Sequence, residues 1–154
     1  GKSGKMNWTG FRDRRLARVV KGCQDMTGKR IFQYLEDDGQ RRAVESADVN
    51  AYLREAMGED FSAKDFRTWA GTVAAARALV TLPACAGESD AKRNVNTCVK
   101  AVAGVLGNTP AVCRSAYIHP AVLDAYQAGK LPLKAAGGGR AFELSVLKFL
   151  EAAR

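Results

Sequence analysis

The chain has 154 residues, 47% hydrophobic and 26% charged, with 24 Lys+Arg against 16 Asp+Glu and a net charge of +8 at pH 7. This length and balance predict one soluble domain with a real core, and no run approaches the roughly 18 apolar residues of a membrane span. The positive balance favours a polyanion, whether DNA, RNA or an anionic membrane surface, and a lone histidine, His119, argues against a multi-histidine metal site.

The opening GKSGK has two glycines and no apolar anchor, which predicts a tight turn between strands with Met6 to Thr9 as the returning strand. It lacks the apolar core of a secretory signal. It reads as a hairpin tip rather than a beginning, so the expectation is a piece of a longer polypeptide. Residues 12–21 place Leu16, Val19 and Val20 on one face and Arg14, Arg15, Arg18 and Lys21 around the other, a short amphipathic helix with a basic outer face. Ile31 to Leu35, then Glu-Asp-Asp-Gly, then Arg41 to Val44 predict a small hairpin.

Ser46 is expected to cap a helix whose apolar stripe is Val49, Tyr52, Leu53 and Met57 and which Gly58 stops. Ser62 opens a longer, alanine-rich helix to about Val80, with Phe66, Trp69, Val73 and Leu79 as core candidates. Residues 83–90 read as a loop. A helix over 90–106 presents Val95, Val99, Val102 and Leu106 and ends at Gly107. Thr109-Pro110 fits a cap followed by proline at the first helical position. That helix carries Tyr117 and stops before His119-Pro120, because the residue before proline avoids helical angles. Another begins at Pro120. Residues 129–139 read as a flexible linker, and a last amphipathic helix carries Phe142, Leu144, Val146, Leu147, Phe149 and Leu150. The fold class is mainly α with small β-hairpins near the N-terminus. Cys23, Cys85, Cys98 and Cys113 show no C-x-x-C pair and no zinc spacing; buried, inert thiols in a reduced, metal-free, cytosolic protein are expected.

Candidate chemistry gathers on three stretches. Arg67 stands one helical turn after Lys64, which puts both on one face. A phosphodiester in flight spreads charge over its non-bridging oxygens, and a guanidinium fork matches two of them at once. Tyr117 offers a phenol; a free tyrosine has a pKa of ~10 and needs nearby cations to act as a nucleophile. Arg114, one turn earlier on the same helix, and Arg67 are the candidate cations. Asn108 precedes a helix start, where its amide caps the helix or donates to a phosphate oxygen. Lys2 and Lys5, at the predicted hairpin tip, are cations able to reach a groove. Each of these also has a plain structural reading: a solvated Lys-x-x-Arg pair, a boundary tyrosine, a capping asparagine, terminal lysines.

The stretches RRLARVVKGCQDMTGKRIFQYLEDDG, VESADVNAYLREAMGEDFSAKDFRTWAGT and LGNTPAVCRSAYIHPAVLDAY resemble, in order and spacing, the catalytic domain of type IB DNA topoisomerases of the small bacterial and poxvirus-like branch. The resemblance runs from Gly1 to about Gln127. It implies the helical fold that tyrosine recombinases and type IB topoisomerases share. It implies a tyrosine that attacks a DNA phosphodiester to give a 3′-phosphotyrosyl link and a free 5′-hydroxyl, then reverses after the cut strand swivels. Neither metal nor ATP is implied, because the covalent link stores the bond energy. By correspondence the nucleophile falls on Tyr117, the catalytic arginine on Arg67, the phosphate-binding histidine-or-asparagine on Asn108 and the general-acid lysine on Lys2, with Lys5 the weaker candidate. Lys64 and Arg114 are expected to contact DNA. The family's second arginine falls upstream of Gly1, so the expectation for 1–154 is the C-terminal catalytic domain without that arginine or the N-terminal clamp, weakly active or inactive on its own, since losing one preorganised phosphate donor costs about 10²–10³ in rate. The implied partner is double-stranded DNA, the implied state a monomer, and the expected location the nucleoid-containing cytoplasm.

Two other readings stay open. A tyrosine recombinase or integrase shares the fold and the covalent chemistry, but usually carries His-x-x-Arg where Lys64 stands and histidine in place of Asn108. A non-catalytic basic DNA-binding module would explain the charge without the chemistry.

Overall fold

The structure, a computed structural model, describes residues 10, 12–24, 30–83, 85–135 and 139–153. The expected turn at GKSGK, the strand at Met6–Thr9, and Lys2 and Lys5 lie outside the described residues. The chain is mainly helical and divides into two compact units, residues 1–63 and 64–154.

In the first unit, α1 spans Arg14–Gln24. It begins at Asp13, whose carboxylate accepts from the backbone N–H groups of Arg15 and Leu16 at 2.8 and 2.9 Å, satisfying donors that the first turn leaves free. Strands β1 (Gln33–Leu35) and β2 (Arg41–Ala43) pair antiparallel with Leu35 opposite Arg41. Gly39, at φ +75°, turns the chain between them, and Arg42 and Glu36 form an ion pair at 2.7 Å. Helix α2 spans Ser46–Met57. Ser46 is its first helical residue rather than its cap: Glu45 takes the cap position, and its N–H donates to the Asp48 carboxylate at 2.8 Å. A carboxylate three residues into the helix outcompetes the serine because it answers the cap's own donor. None of the described residues of this unit is fully buried.

The second unit holds the core. Its helices are α3 (Ala63–Val80), α4 (Glu88–Leu106), α5 (Pro110–Ala116), α6 (Pro120–Gln127) and α7 (Gly139–Ala152). The buried stripe of α3 is Gly71, Thr72, Ala75, Ala76 and Leu79. Phe66, expected in the core, is 51% exposed, whereas Trp69 and Val73 are half-buried against it. Small residues on that stripe let neighbouring backbone come close, and this displaces the large side chains from the centre of the contact. Val95, Val99 and Val102 of α4 are buried as their spacing predicts, together with Cys98 and Ala103. Val122 and Leu123 of α6 and Phe142 and Val146 of α7 complete the cluster. The Arg77 guanidinium of α3 lies 4.3 Å from the Phe142 ring centroid, a cation–π contact that helps seat α7. Leu144 and Leu147 stay exposed. The stretch before α7 is more than a linker, because Leu131 and Leu133 are half-buried against the core.

The helix ends near the candidate residues follow their local chemistry. Gly107 takes a left-handed conformation at φ +66°. Beyond it, Asn108 N–H reaches the Ala103 carbonyl at 2.9 Å and Gly107 N–H the Gly104 carbonyl at 3.3 Å, the paired closure expected of glycine just past a helix end. Thr109, not Asn108, caps α5, its hydroxyl accepting from Val112 N–H at 3.3 Å. His119 caps α6 through Nδ1, which accepts from Ala121 N–H at 3.3 Å.

Candidate active site

Three elements of the second unit bring Arg67, Asn108 and Tyr117 together. The C-terminal closure of α4 satisfies the carbonyls of Ala103 and Gly104 and leaves that of Leu106 to other donors. The Arg67 guanidinium donates to this oxygen at 2.6 Å, and the Asn108 side-chain amide donates to it at 3.1 Å. The negative end of the α4 dipole favours the cation there. The same guanidinium lies 5.1 Å from the Tyr117 ring centroid, within cation–π range. Arg67 carries five N–H donors, so one bond to Leu106 leaves others for a second acceptor.

Tyr117 is half-buried and packs against the core, while Arg67 is exposed. Tyr117 occupies the C-cap of α5, just past its last helical residue, at φ −129° and ψ −3°. Its main chain lies along α3. The Thr68 hydroxyl shares its one proton between the Lys64 carbonyl of its own helix at 3.2 Å and the Ala116 carbonyl at 3.3 Å, and His119 N–H donates to the Thr72 hydroxyl at 3.0 Å. Between them the Tyr117 carbonyl stands where a Cβ on Gly71 would have to be.

The other candidate cations are placed differently. Arg114 donates to the Asn96 side chain on α4 at 3.1 Å, so the guanidinium set against the Tyr117 ring is that of Arg67 alone among the described residues. Lys64 is exposed at the start of α3, one turn before Arg67. The cysteines divide: Cys98 and Cys113 are buried as expected, Cys23 is half-buried and Cys85 exposed. Burial pushes the Cys98 thiol up to about 11, with the nearby Cys113 adding to the shift. Burial also raises Cys113, against the opposing charge of Arg67.

Sequence reasoning missed Gly71 and Thr72. The available signal was a glycine in the middle of an alanine-rich helix, where it costs stability unless something needs the space. It also missed a second tyrosine cluster. The Tyr126 hydroxyl accepts from the Asn94 amide at 2.9 Å and lies 3.3 Å from Cys85 Sγ. Burial first, then the Cys85 contact, makes that phenol hold its proton more tightly. Tyr126 also borders a cavity of about 490 Å³ that includes neither Arg67, Asn108 nor Tyr117. Within the Arg67–Asn108–Tyr117 group, Arg67 is exposed and Asn108 and Tyr117 are half-buried.

A family model described as "Eukaryotic DNA topoisomerase I, catalytic core" matches residues 8–136. The chain belongs to the type IB DNA topoisomerase family. Its similarity extends to a DNA topoisomerase 1B of Acanthamoeba polyphaga mimivirus, 31% identical over 135 residues that cover 82% of this chain and 40% of the relative. The chain thus spans well under half the length of that curated topoisomerase. Helix α7 lies beyond the segment that the family model matches, yet it supplies Phe142 and Val146 to the core. No helix among the described residues is long and apolar enough to cross a membrane.

Proposed function

We propose that this chain is the catalytic domain of a type IB DNA topoisomerase, and that it cuts and rejoins one strand of duplex DNA through Tyr117. The observation that carries this reading is the meeting of Arg67 and Asn108 on the Leu106 carbonyl beside the Tyr117 ring. Family membership supports it.

Tyr117 Oη attacks the phosphorus and gives its proton to solvent. The Oη–P bond forms as the P–O5′ bond breaks. The electron pair of that bond goes to O5′, which takes a proton and leaves as a hydroxyl. Arg67 and Asn108 hold the non-bridging oxygens, whose charge grows in the transition state. Lys2, assigned by correspondence with the family alone, gives the proton to O5′, with Lys5 the second candidate. The return attack of the 5′-hydroxyl on phosphorus expels the phenol, so the cycle consumes no cofactor. Rotation of the free strand between the two steps relaxes supercoils. Lys64 and Arg114 contact the DNA backbone, and the working unit is a monomer acting in the compartment that holds the DNA.

The test is a duplex whose short 5′ end diffuses away after cleavage, trapping the intermediate. A covalent protein–DNA band on a denaturing gel is expected, and Tyr117→Phe should abolish it while keeping salt-sensitive binding. Binding without any band would leave either a site incomplete without the upstream arginine or a basic DNA-binding module, and repeating the gel with the natural upstream segment restored separates the two. Strand exchange between two sites by a tetramer would favour the recombinase.

A further inference from the structure

We infer that Thr72 and Gly71 of α3, assisted by Thr68, are positioning residues that set where the Tyr117 phenol stands by clamping the main chain on both sides of it. This rests on the proposed role of Tyr117 as nucleophile.

Tyr117 lies in the short corner between α5 and α6, where its N–H makes the closing bond of α5 to the Cys113 carbonyl at 3.0 Å, but its carbonyl and the residues after it leave that helix. Beyond that bond the corner is held from α3. Thr72 accepts from His119 N–H, Gly71 leaves room for the Tyr117 carbonyl, and Thr68 shares its hydroxyl proton between the Lys64 and Ala116 carbonyls. Residues 68, 71 and 72 share one face of a helix. Ile118, between the clamped groups, is buried in the core, so the corner is pinned on both of its sides.

Thr72 is the one buried polar side chain among the described residues, at 2% exposed. A buried hydroxyl in an otherwise apolar stripe is costly unless it answers a partner, and its partner here is the backbone two residues after the tyrosine. Gly71 sits in the same stripe where alanine would otherwise serve the helix better. Both features are accounted for if the stripe is shaped around the corner it holds.

The clamp has a chemical consequence. Arg67, which holds the phosphate in the proposed reaction, is on the same helix. One rigid element therefore fixes both the phosphate donor and the nucleophile, and so their separation. In-line attack needs the reacting atoms about 3–3.5 Å apart, and a 1 Å misplacement costs about 10²-fold.

The test compares Thr72→Val with Thr72→Ser. Three quantities are measured: the single-turnover rate of covalent band formation, the DNA affinity of each variant in a Tyr117→Phe background, and the ring resonances of Tyr117 in tyrosine-labelled protein. Thr72→Val should slow band formation about 10²-fold, leave affinity essentially unchanged and shift the Tyr117 ring resonances as the ring moves relative to Arg67. Thr72→Ser, which keeps the acceptor, should restore both rate and resonances. A threonine that only supported the fold would lower the stability of Thr72→Val without moving the Tyr117 ring resonances. Wild-type rate and resonances in Thr72→Val would overturn the inference, as would a Thr72→Ser variant as impaired as Thr72→Val. If neither the unaltered chain nor one with its natural upstream segment restored forms a covalent band, the catalytic reading of Tyr117 fails, while the ring resonances still decide whether the clamp exists. Should Thr72→Val not fold, Thr68→Val frees the Ala116 carbonyl and is read in the same way, with a smaller shift expected.

Discussion

Replacing Gly71 by alanine sets two effects against each other. Alanine is favoured over glycine inside a helix by about 1 kcal/mol. Against this, the new methyl would overlap the Tyr117 carbonyl oxygen and crowd a Leu106 methyl 3.2 Å away. The carbonyl is backbone, held by its neighbours, and cannot swing aside as a flexible side chain would. Overpacking of this kind costs about 1–3 kcal/mol, so the steric term wins and Gly71→Ala should be destabilised by about 1 kcal/mol. Gly104 supplies the internal control. It lies in α4 with nothing within 4 Å of its would-be Cβ, so Gly104→Ala should gain about 0.5–1 kcal/mol. The two variants carry the same chemical change and should separate by about 2 kcal/mol. With m-values of about 1–3 kcal/mol/M in urea, their unfolding midpoints, followed by helical circular dichroism, should differ by about 1 M. Gly71→Ala should also lose covalent band formation, and Gly104→Ala should keep it. A Gly71→Ala midpoint equal to or above that of Gly104→Ala would refute the close approach of the tyrosine corner to α3.

Arg67→Lys keeps the charge but loses the fork, and a point charge cannot hold two phosphate oxygens in fixed geometry; covalent band formation should fall about 10²–10³-fold, while a rate within threefold of wild type would remove Arg67 from the phosphate site. Arg77→Ala should cost about 0.5–2 kcal/mol through the lost contact with Phe142, read as a lower thermal midpoint, and an unchanged midpoint would show that the contact does not help seat α7. The Cys98 thiol is raised from its ordinary 9.0 to about 11 in the folded chain. Its contribution to stability is therefore complete below about pH 9 and lost as pH rises toward about 11; Cys98→Ala should flatten this part of the stability–pH curve, and an unaltered slope would count against the assignment. In the native protein at pH 8 a thiol reagent should modify the exposed Cys85 first and leave Cys98 and Cys113 until denaturant is added.

Much of the second unit was legible because its signals are local. Val95, Val99 and Val102 repeat at helical spacing, Gly107 stops one helix, and the prolines at 110 and 120 start two more. The α3 stripe was misread because hydrophobic size drew attention to Phe66, whereas close packing selected glycine, threonine and alanine. At Glu45 and Ser46 the better-known capping residue lost to a carboxylate placed to answer the cap's own N–H. The candidates Arg67, Asn108 and Tyr117 were legible through family resemblance, but their meeting point was not. They converge on a main-chain oxygen, and a carbonyl has no letter in the sequence. The Asn96 partner of Arg114 was equally hidden: position along the helix says nothing about a side chain that α4 brings alongside.

The Leu106 carbonyl also links folding to the assembly of the site. Arg67 and Asn108 share that oxygen only when α3 lies against the end of α4, two stretches far apart along the chain. A nascent or partly denatured chain has the tyrosine but not the paired donors beside it. Assembly of the core is thus the condition for the three side chains to meet.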